Sequence, residues 1–200
     1  MNLKTFLRRF LWFVNFRSMI KLTTWLMITR RKRVLFIFEG REYTYGEVYR
    51  EACRYANFFL SVRKKKVDEG RLGRNDRLAV GIYMENTPEY LFASLAAGLS
   101  NSILFAINTG FRGETLAKVI DQAKVAFLIL NANSAEEVAK VAGEMTVITH
   151  KDFLCVGTDE EIKKTGYGSL EKAIRESEPK VPARYRVPVD NFSPVIVIYT

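Results

Sequence analysis

The chain has one histidine, two cysteines and no acidic residue ahead of Glu39. Each scarcity removes a class of chemistry. With His150 alone, neither a histidine-rich metal centre nor a Ser/His/Asp triad can be assembled. His150 reads as an exposed loop residue after a strand. Cys53 and Cys155 are far apart, fitting neither a disulfide framework nor metal-ligand spacing, and are expected to serve as small packing residues. No GxGxxG, GxxxxGK[ST], CxxC or paired-carboxylate constellation occurs. No stretch of about 20 apolar residues runs free of charge, because Arg17 and Lys21 interrupt the only candidate window, each at roughly 2.5 to 3.5 kcal/mol in a bilayer centre. A cleavable signal peptide is disfavoured as well, since no small-residue cleavage site follows the apolar part.

What is present begins with an uneven distribution of charge. The net charge is +9, and nine basic residues (Lys4, Arg8, Arg9, Arg17, Lys21, Arg30, Arg31, Lys32 and Arg33) lie in the first 33 positions. The remaining 22 basic residues balance the 22 acidic ones, so the body is neutral. This argues against nucleic acid as a partner. The basic segment also carries Phe6, Phe10, Trp12, Phe13, Phe16 and Trp25, a mixture suited to the headgroup region of an anionic bilayer. Residues 1–33 are therefore expected to form a peripheral membrane-surface segment of two short amphipathic helices, broken near Asn15 to Ser18. Leu3, Phe6, Leu7, Phe10, Phe13 and Val14 would share one face of the first. The alternative is that these aromatics pack onto further protein.

From residue 34 to 200 the pattern alternates between strands and helices. Val34 to Phe38 and Glu42-Tyr43 read as a hairpin around Glu39-Gly40-Arg41. Thr44 and Glu47 form a capping box for a helix with Val48, Ala52, Cys53, Ala56 and Phe59 on its apolar face, and Lys64-Lys65-Lys66 as its solvated end. Gly70 to Asn75 reads as loop, with Asn75 available for a left-handed conformation. Leu78 to Met84 and Ser102 to Ile107 are apolar runs long enough for strands covered on both faces. The helix between them starts at Pro88, where a side chain of Asn86 or Thr87 can cap it, and stops at Gly98 to Asn101. A connection of that length makes the two strands parallel, with a right-handed crossover. Further on come a helix over Glu114 to Gln122, a strand over Val125 to Leu130 and a short helix capped by Ser134 and Glu137. Strands follow over Thr146 to Thr149 and Phe153 to Val156, then a polar loop over Thr158 to Tyr167, and Ser169 caps a last helix. Val181 to Asp190 is a proline-punctuated connector. Val195 to Tyr199 is a parallel-type strand expected inside the sheet. The fold class is thus α/β, a doubly wound and mostly parallel sheet, preceded by amphipathic helices.

In open parallel sheets, ligands bind beyond the carboxyl ends of strands. That rule makes Glu85, Asn86, Asn108, Thr109, Arg112 and the Tyr199-Thr200 edge candidate ligand-facing residues. Capping of turns and helices accounts for the first five equally well, and only Tyr199-Thr200 is favoured as a site.

An ordered set of short motifs adds to this reading: Phe38-Glu39-Gly40, Thr44-Tyr45-Gly46-Glu47, Tyr55-Ala56-Asn57-Phe58-Phe59, Asn75-Asp76-Arg77-Leu78-Ala79, Met84-Glu85-Asn86-Thr87-Pro88-Glu89-Tyr90, Ile107-Asn108-Thr109 with Arg112-Gly113, and Val197-Ile198-Tyr199-Thr200. Together they resemble the N-terminal part of the adenylate-forming, AMP-binding acyl-CoA synthetases, most of all the fatty acid transport protein or very-long-chain acyl-CoA synthetase branch. The resemblance covers about Leu35 to Thr200. It departs from the family in a longer, more charged Arg63 to Asn75 loop and in Asn75 where glycine is usual. The resemblance implies ATP-dependent ligation of a fatty acid to coenzyme A through an acyl-adenylate, with Mg²⁺, at the cytoplasmic face of a membrane. It implies that Ile198, Tyr199 and Thr200 open the AMP- and pyrophosphate-binding loop, with the remaining catalytic groups downstream. No catalytic or metal-binding residue is assigned within these 200. The 200 residues alone are expected to be inactive and poorly soluble. A non-catalytic membrane-recruitment or lipid-binding module built on the same half-fold is the competing reading.

Overall fold

The computed structural model describes residues 19–182 and 194–200. The expected first amphipathic helix, its break at Asn15 to Ser18 and most of the 181–190 connector lie outside these residues. The described part opens with α1 (Met19–Thr29), which packs against the two long helices that follow and buries Met27 in the core. A small antiparallel hairpin comes next, β1 (Val34–Phe38) and β2 (Arg41–Thr44). The remaining elements are α2 (Tyr45–Asp68), β3 (Ala79–Tyr83), α3 (Pro88–Ser100), β4 (Ile103–Ile107), α4 (Gly113–Ala123), β5 (Phe127–Asn131), α5 (Ala135–Val141), β6 (Phe153–Val156), α6 (Asp159–Thr165), β7 (Gly168–Ser169), α7 (Leu170–Ile174) and β8 (Ile196–Tyr199).

Strands β3 to β8 form one six-stranded sheet in the order β7-β6-β5-β3-β4-β8, with every pairing parallel. The chain steps from β3 to β4 in one direction and returns across β3 to reach β5. Right-handed crossovers in opposite directions place their helices on opposite faces. The side chains show the result. Val80, Ile82, Phe127 and Ile129 face the core under α2 and α3, whereas Tyr83, Leu128 and Leu130 face the core under α4 and α5. Both faces are covered, which is why these strands read as continuous apolar runs.

Local signals explain the helix starts. At α2 the Thr44 N–H donates to Glu47 Oε2 at 2.8 Å and the Glu47 N–H donates to Thr44 Oγ1 at 3.2 Å, the expected capping box. Pro88 stands at the first position of α3, and Asn101 ends that helix in the left-handed region at φ 53°. Thr87 is the N-cap residue there, but its side chain makes no cap hydrogen bond.

Several expectations are corrected. Asn75 is not left-handed; among the described residues Glu39, Asn101 and Lys124 are the non-glycine residues with positive φ. Helix α2 continues to Asp68, so the segment read as a loop from Arg63 is helical for its first turn and a half. Within the lysine triplet, Lys66 is buried rather than solvated. Ser134 makes no side-chain cap bond, its backbone being helical (φ −90°, ψ −5°) rather than extended as an N-cap requires, and the Glu137 carboxylate turns instead to Lys140 at 2.7 Å and Arg112 at 3.4 Å. Thr146 to Thr149 forms no strand. The Asp121 carboxylate accepts from the N–H groups of Thr146 and Val147 at 3.0 and 3.2 Å, taking donors that a ladder would need. His150 accordingly follows no strand and begins a short 3-10 turn over His150–Asp152, though it is exposed as expected. The polar stretch from Thr158 holds helix α6, started by a capping box of Thr158 and Glu161 and stopped by left-handed Gly166. The two-residue strand β7 had no sequence signal. Finally, β8 pairs parallel to β4 as expected but forms the sheet edge among the described residues rather than an interior strand.

Candidate functional site at the carboxyl edge of the sheet

Parallel strands bring all their carboxyl ends to one edge. Here Tyr83, Ile107, Asn131, Val156 and Tyr199 end β3, β4, β5, β6 and β8. The strand order reverses between β3 and β5, and a crevice is expected beyond that point. An open groove of about 590 Å³ lies there. It is lined by Thr87, Pro88 and Glu89 after β3, Asn131, Ala132 and Asn133 after β5, and Arg41 and Tyr43 from the hairpin. The Arg41 guanidinium sits 4.6 Å above the Tyr43 ring, which stacks on Phe36 at 4.7 Å. The Thr87 hydroxyl oxygen is buried without a hydrogen-bond partner.

The sequence candidates follow three neighbouring strands, β3, β4 and β8. Ile107 lies opposite Tyr199 in the β4–β8 register, so Asn108 and Thr200 leave the sheet from neighbouring strands. Tyr199 packs its ring against Phe105 at 6.2 Å and is half-buried, while Ile198 and Thr200 are exposed. Glu85 and Asn86 are exposed at the end of β3, the strand beside β4. Asn108, Thr109 and Arg112 form a closed turn. Asn108 Oδ1 accepts from the Gly110 N–H at 2.8 Å, and the Asn108 carbonyl accepts from the Phe111 N–H at 3.0 Å.

Two residues that were not site candidates in the sequence organise the two ends of these strands. Tyr83 is buried and sends its hydroxyl to the carbonyl oxygens of Phe111 at 2.8 Å and Thr109 at 3.2 Å. Burial raises its pKa against the pull of Arg112, so it stays protonated and donates. Arg77 holds the opposite end of the same strands. Its guanidinium donates to the carbonyls of Asn101 at 3.2 Å, Ser102 at 2.8 Å and Pro194 at 2.6 Å, tying the end of α3 to the entry of β8. The signal in the sequence was the Arg77 of the Asn-Asp-Arg motif, but its partners stand up to 117 residues away. Among the described residues no group of three or more His, Cys, Asp or Glu side chains could hold a metal ion.

In a doubly wound parallel sheet, a switch-point crevice at the carboxyl edge is where ligands bind. The sequence profile of the family described as AMP-binding enzyme matches residues 26–200, and the chain belongs to that family. It is similar to the 3-oxocholest-4-en-26-oate–CoA ligase of Rhodococcus rhodochrous, with 27% identity over 149 residues that cover 74% of this chain and 25% of that protein. It is also similar to an acetyl-coenzyme A synthetase of Dictyostelium discoideum, with 30% identity over 103 residues covering 48% of this chain and 14% of the relative. Among solved structures, a Mycobacterium tuberculosis fatty acyl CoA synthetase matches with a TM-score of 0.65 at 16% identity, over 92% of this chain and 32% of that one. The anthranilate CoA ligase AuaEII in complex with anthranoyl-AMP matches with a TM-score of 0.66 at 16% identity, over 82% and 28%. The sheet is thus the N-terminal part of the adenylate-forming fold. The chain spans about a quarter of the length of the curated ligases it matches over most of its own length.

Proposed function

We propose that this chain is the N-terminal part of an ATP-dependent fatty acid–CoA ligase acting on long or very long acyl chains, nearest to the fatty acid transport protein branch. The observation that carries the reading is the placement of Tyr199-Thr200. They end a strand at the ligand-facing edge, beside the turn after β4, in a chain matched by the AMP-binding family through its last residue. Ile198, Tyr199 and Thr200 then open the loop that grips AMP and pyrophosphate. Attack of the substrate carboxylate on the α-phosphorus of ATP releases pyrophosphate and leaves the acyl group on AMP. Attack of the coenzyme A sulfur on the acyl carbon then releases AMP. The protein's share is to hold the phosphates and carboxylate in line while offsetting charge, Mg²⁺ being supplied by residues beyond these.

A fatty acid substrate is supported by the name of one relative, the medium/long-chain-fatty-acid–CoA/3-oxocholest-4-en-26-oate–CoA ligase of Mycolicibacterium smegmatis. Residues 1–33 would attach the enzyme peripherally to the anionic cytoplasmic face of a membrane. The nine unopposed cations support this, as do Trp25 and Ile28, which are 38% and 54% exposed on α1. Among the described residues no helix is long and apolar enough to cross a bilayer.

The test is acid-dependent pyrophosphate release by the full-length protein with acetate, octanoate, palmitate and lignocerate offered in turn. Turnover with palmitate or lignocerate supports the ligase reading, and preference for acetate overturns the chain-length assignment. No release with any acid, together with salt-sensitive binding to phosphatidylserine vesicles, favours the non-catalytic membrane module.

A further inference from the structure

The carboxyl edge contains a side-chain network that the reading above leaves without a role. Arg112 Nη1 donates to the Tyr83 hydroxyl at 2.5 Å, to the Phe111 carbonyl at 2.8 Å and to the Thr109 carbonyl. Its Nε stands 3.4 Å from Glu137 of α5. One guanidinium therefore joins the end of β3, the turn after β4 and the first turn of α5.

We infer that Arg112 is a positioning residue for the adenylation step, holding the turn of residues 108–112 to the end of β3, one strand away from the end of β8 where the phosphate-gripping loop opens. The inference rests on the ligase reading above. Three observations carry it. First, the turn does not need Arg112 to close. Asn108 already satisfies the N–H groups of Gly110 and Phe111, so the arginine adds placement rather than turn formation. Second, Arg112 gathers three oxygens from two elements through Nη1 while its Nε faces Glu137 at 3.4 Å, two directions at once that a planar guanidinium serves and a single ammonium serves poorly. Third, β4 and β8 are hydrogen-bonded neighbours, with Ile107 opposite Tyr199. A displacement of the turn is therefore felt next to Thr200, and misplacement by about 1 Å costs on the order of 100-fold in rate. The Arg112 side chain is 53% exposed, so its removal does not open a core cavity.

The experiment uses the full-length protein and reads acid-dependent ATP–pyrophosphate exchange in the wild type first. Absence of exchange there overturns the ligase reading and this inference with it. With exchange established, Arg112→Ala is expected to lower it by roughly 10- to 100-fold. The KM for ATP should rise, while the KM for the fatty acid and the melting temperature stay unchanged. Arg112→Lys should recover little. Glu137→Gln, which leaves the three oxygens engaged, should lose less than about 3-fold. Exchange by Arg112→Ala within about 3-fold of wild type overturns the inference. So does a loss that falls equally on both KM values and the melting temperature, because Arg112 would then be merely structural.

Discussion

Lys66 and Asp152, separated by 86 positions in the chain, meet at 2.7 Å where the last turn of α2 crosses the entry to β6. Their side chains are 8% and 14% exposed, and Asp152 also accepts from the Thr149 N–H at 3.0 Å. Burial pushes the Asp152 carboxyl up, but the Lys66 ammonium and the Thr149 N–H together hold it below the usual carboxylate range. The pair therefore contributes stability above the unfolded pKa of about 3.9, lost as pH falls through the lower folded value. Asp152→Asn should cost about 3 kcal/mol near neutrality, since it leaves a buried ammonium without its counter-charge. Urea unfolding across pH should show the wild-type advantage shrinking below about pH 4. An advantage that persists undiminished into acid would contradict this account.

Gly46 faces a different constraint. A Cβ there would lie 2.8 Å from the Arg31 carbonyl oxygen, the same oxygen that accepts the Gly46 N–H at 2.9 Å. Helix propensity alone would have Gly46→Ala stabilise by up to about 1 kcal/mol. The backbone clash should outweigh it, with overpacking of about 1 to 3 kcal/mol. Chemical unfolding decides the sign: a net loss is expected, and a net gain would show that the 30–33 segment yields freely.

Arg77 is expected to act on one strand more than on the whole fold. Three carbonyls depend on it, one of them Pro194 just ahead of β8. Arg77→Ala should weaken the attachment of β8 by about 2 kcal/mol, which is roughly 30-fold in amide hydrogen-exchange protection at Val197 and Tyr199. Protection at Ile82 and Ile129, deep in the sheet, should change far less.

Neither cysteine should behave as a reactive thiol. Cys53 and Cys155 have no exposed surface, and burial pushes the Cys53 thiol up to about 11 and raises that of Cys155. Thiolate is the reacting species, so an aromatic disulfide reagent at pH 8 should label neither in the folded protein and both after denaturation. Rapid labelling of the native protein would overturn this.

The sheet was legible in the sequence because strands covered on both faces are written as uninterrupted apolar runs. Leu78 to Met84 and Ser102 to Ile107 contain β3 and β4 for that reason. Capping patterns were legible only in part. Thr44 with Glu47 makes its box from an extended N-cap, whereas Ser134 with Glu137 has the same spacing and does not, because Ser134 is already helical and Arg112 and Lys140 hold the carboxylate. Lys140 lies within the local window, but Arg112 is brought near only by folding. The same holds for Asp121, which holds Thr146 and Val147 out of a ladder, and for Lys66, whose partner comes from a distant turn. At the candidate site the strand ends could be named in advance. The Tyr83–Arg112–Glu137 link and the Arg77 fan depend on which strands become neighbours, and the order β5-β3-β4-β8 is not readable from any one of them.

The outer rim of β8 carries one more consequence. Ile196 is 41% exposed and Ile198 67%, on a strand whose far side pairs with nothing among the described residues. Free peptide groups beside bare isoleucines make an adhesive template for any extended chain. Preparations limited to residues 1–200 should self-associate through that rim, and a lysine at position 198 should keep them dispersed without disturbing the strands behind it.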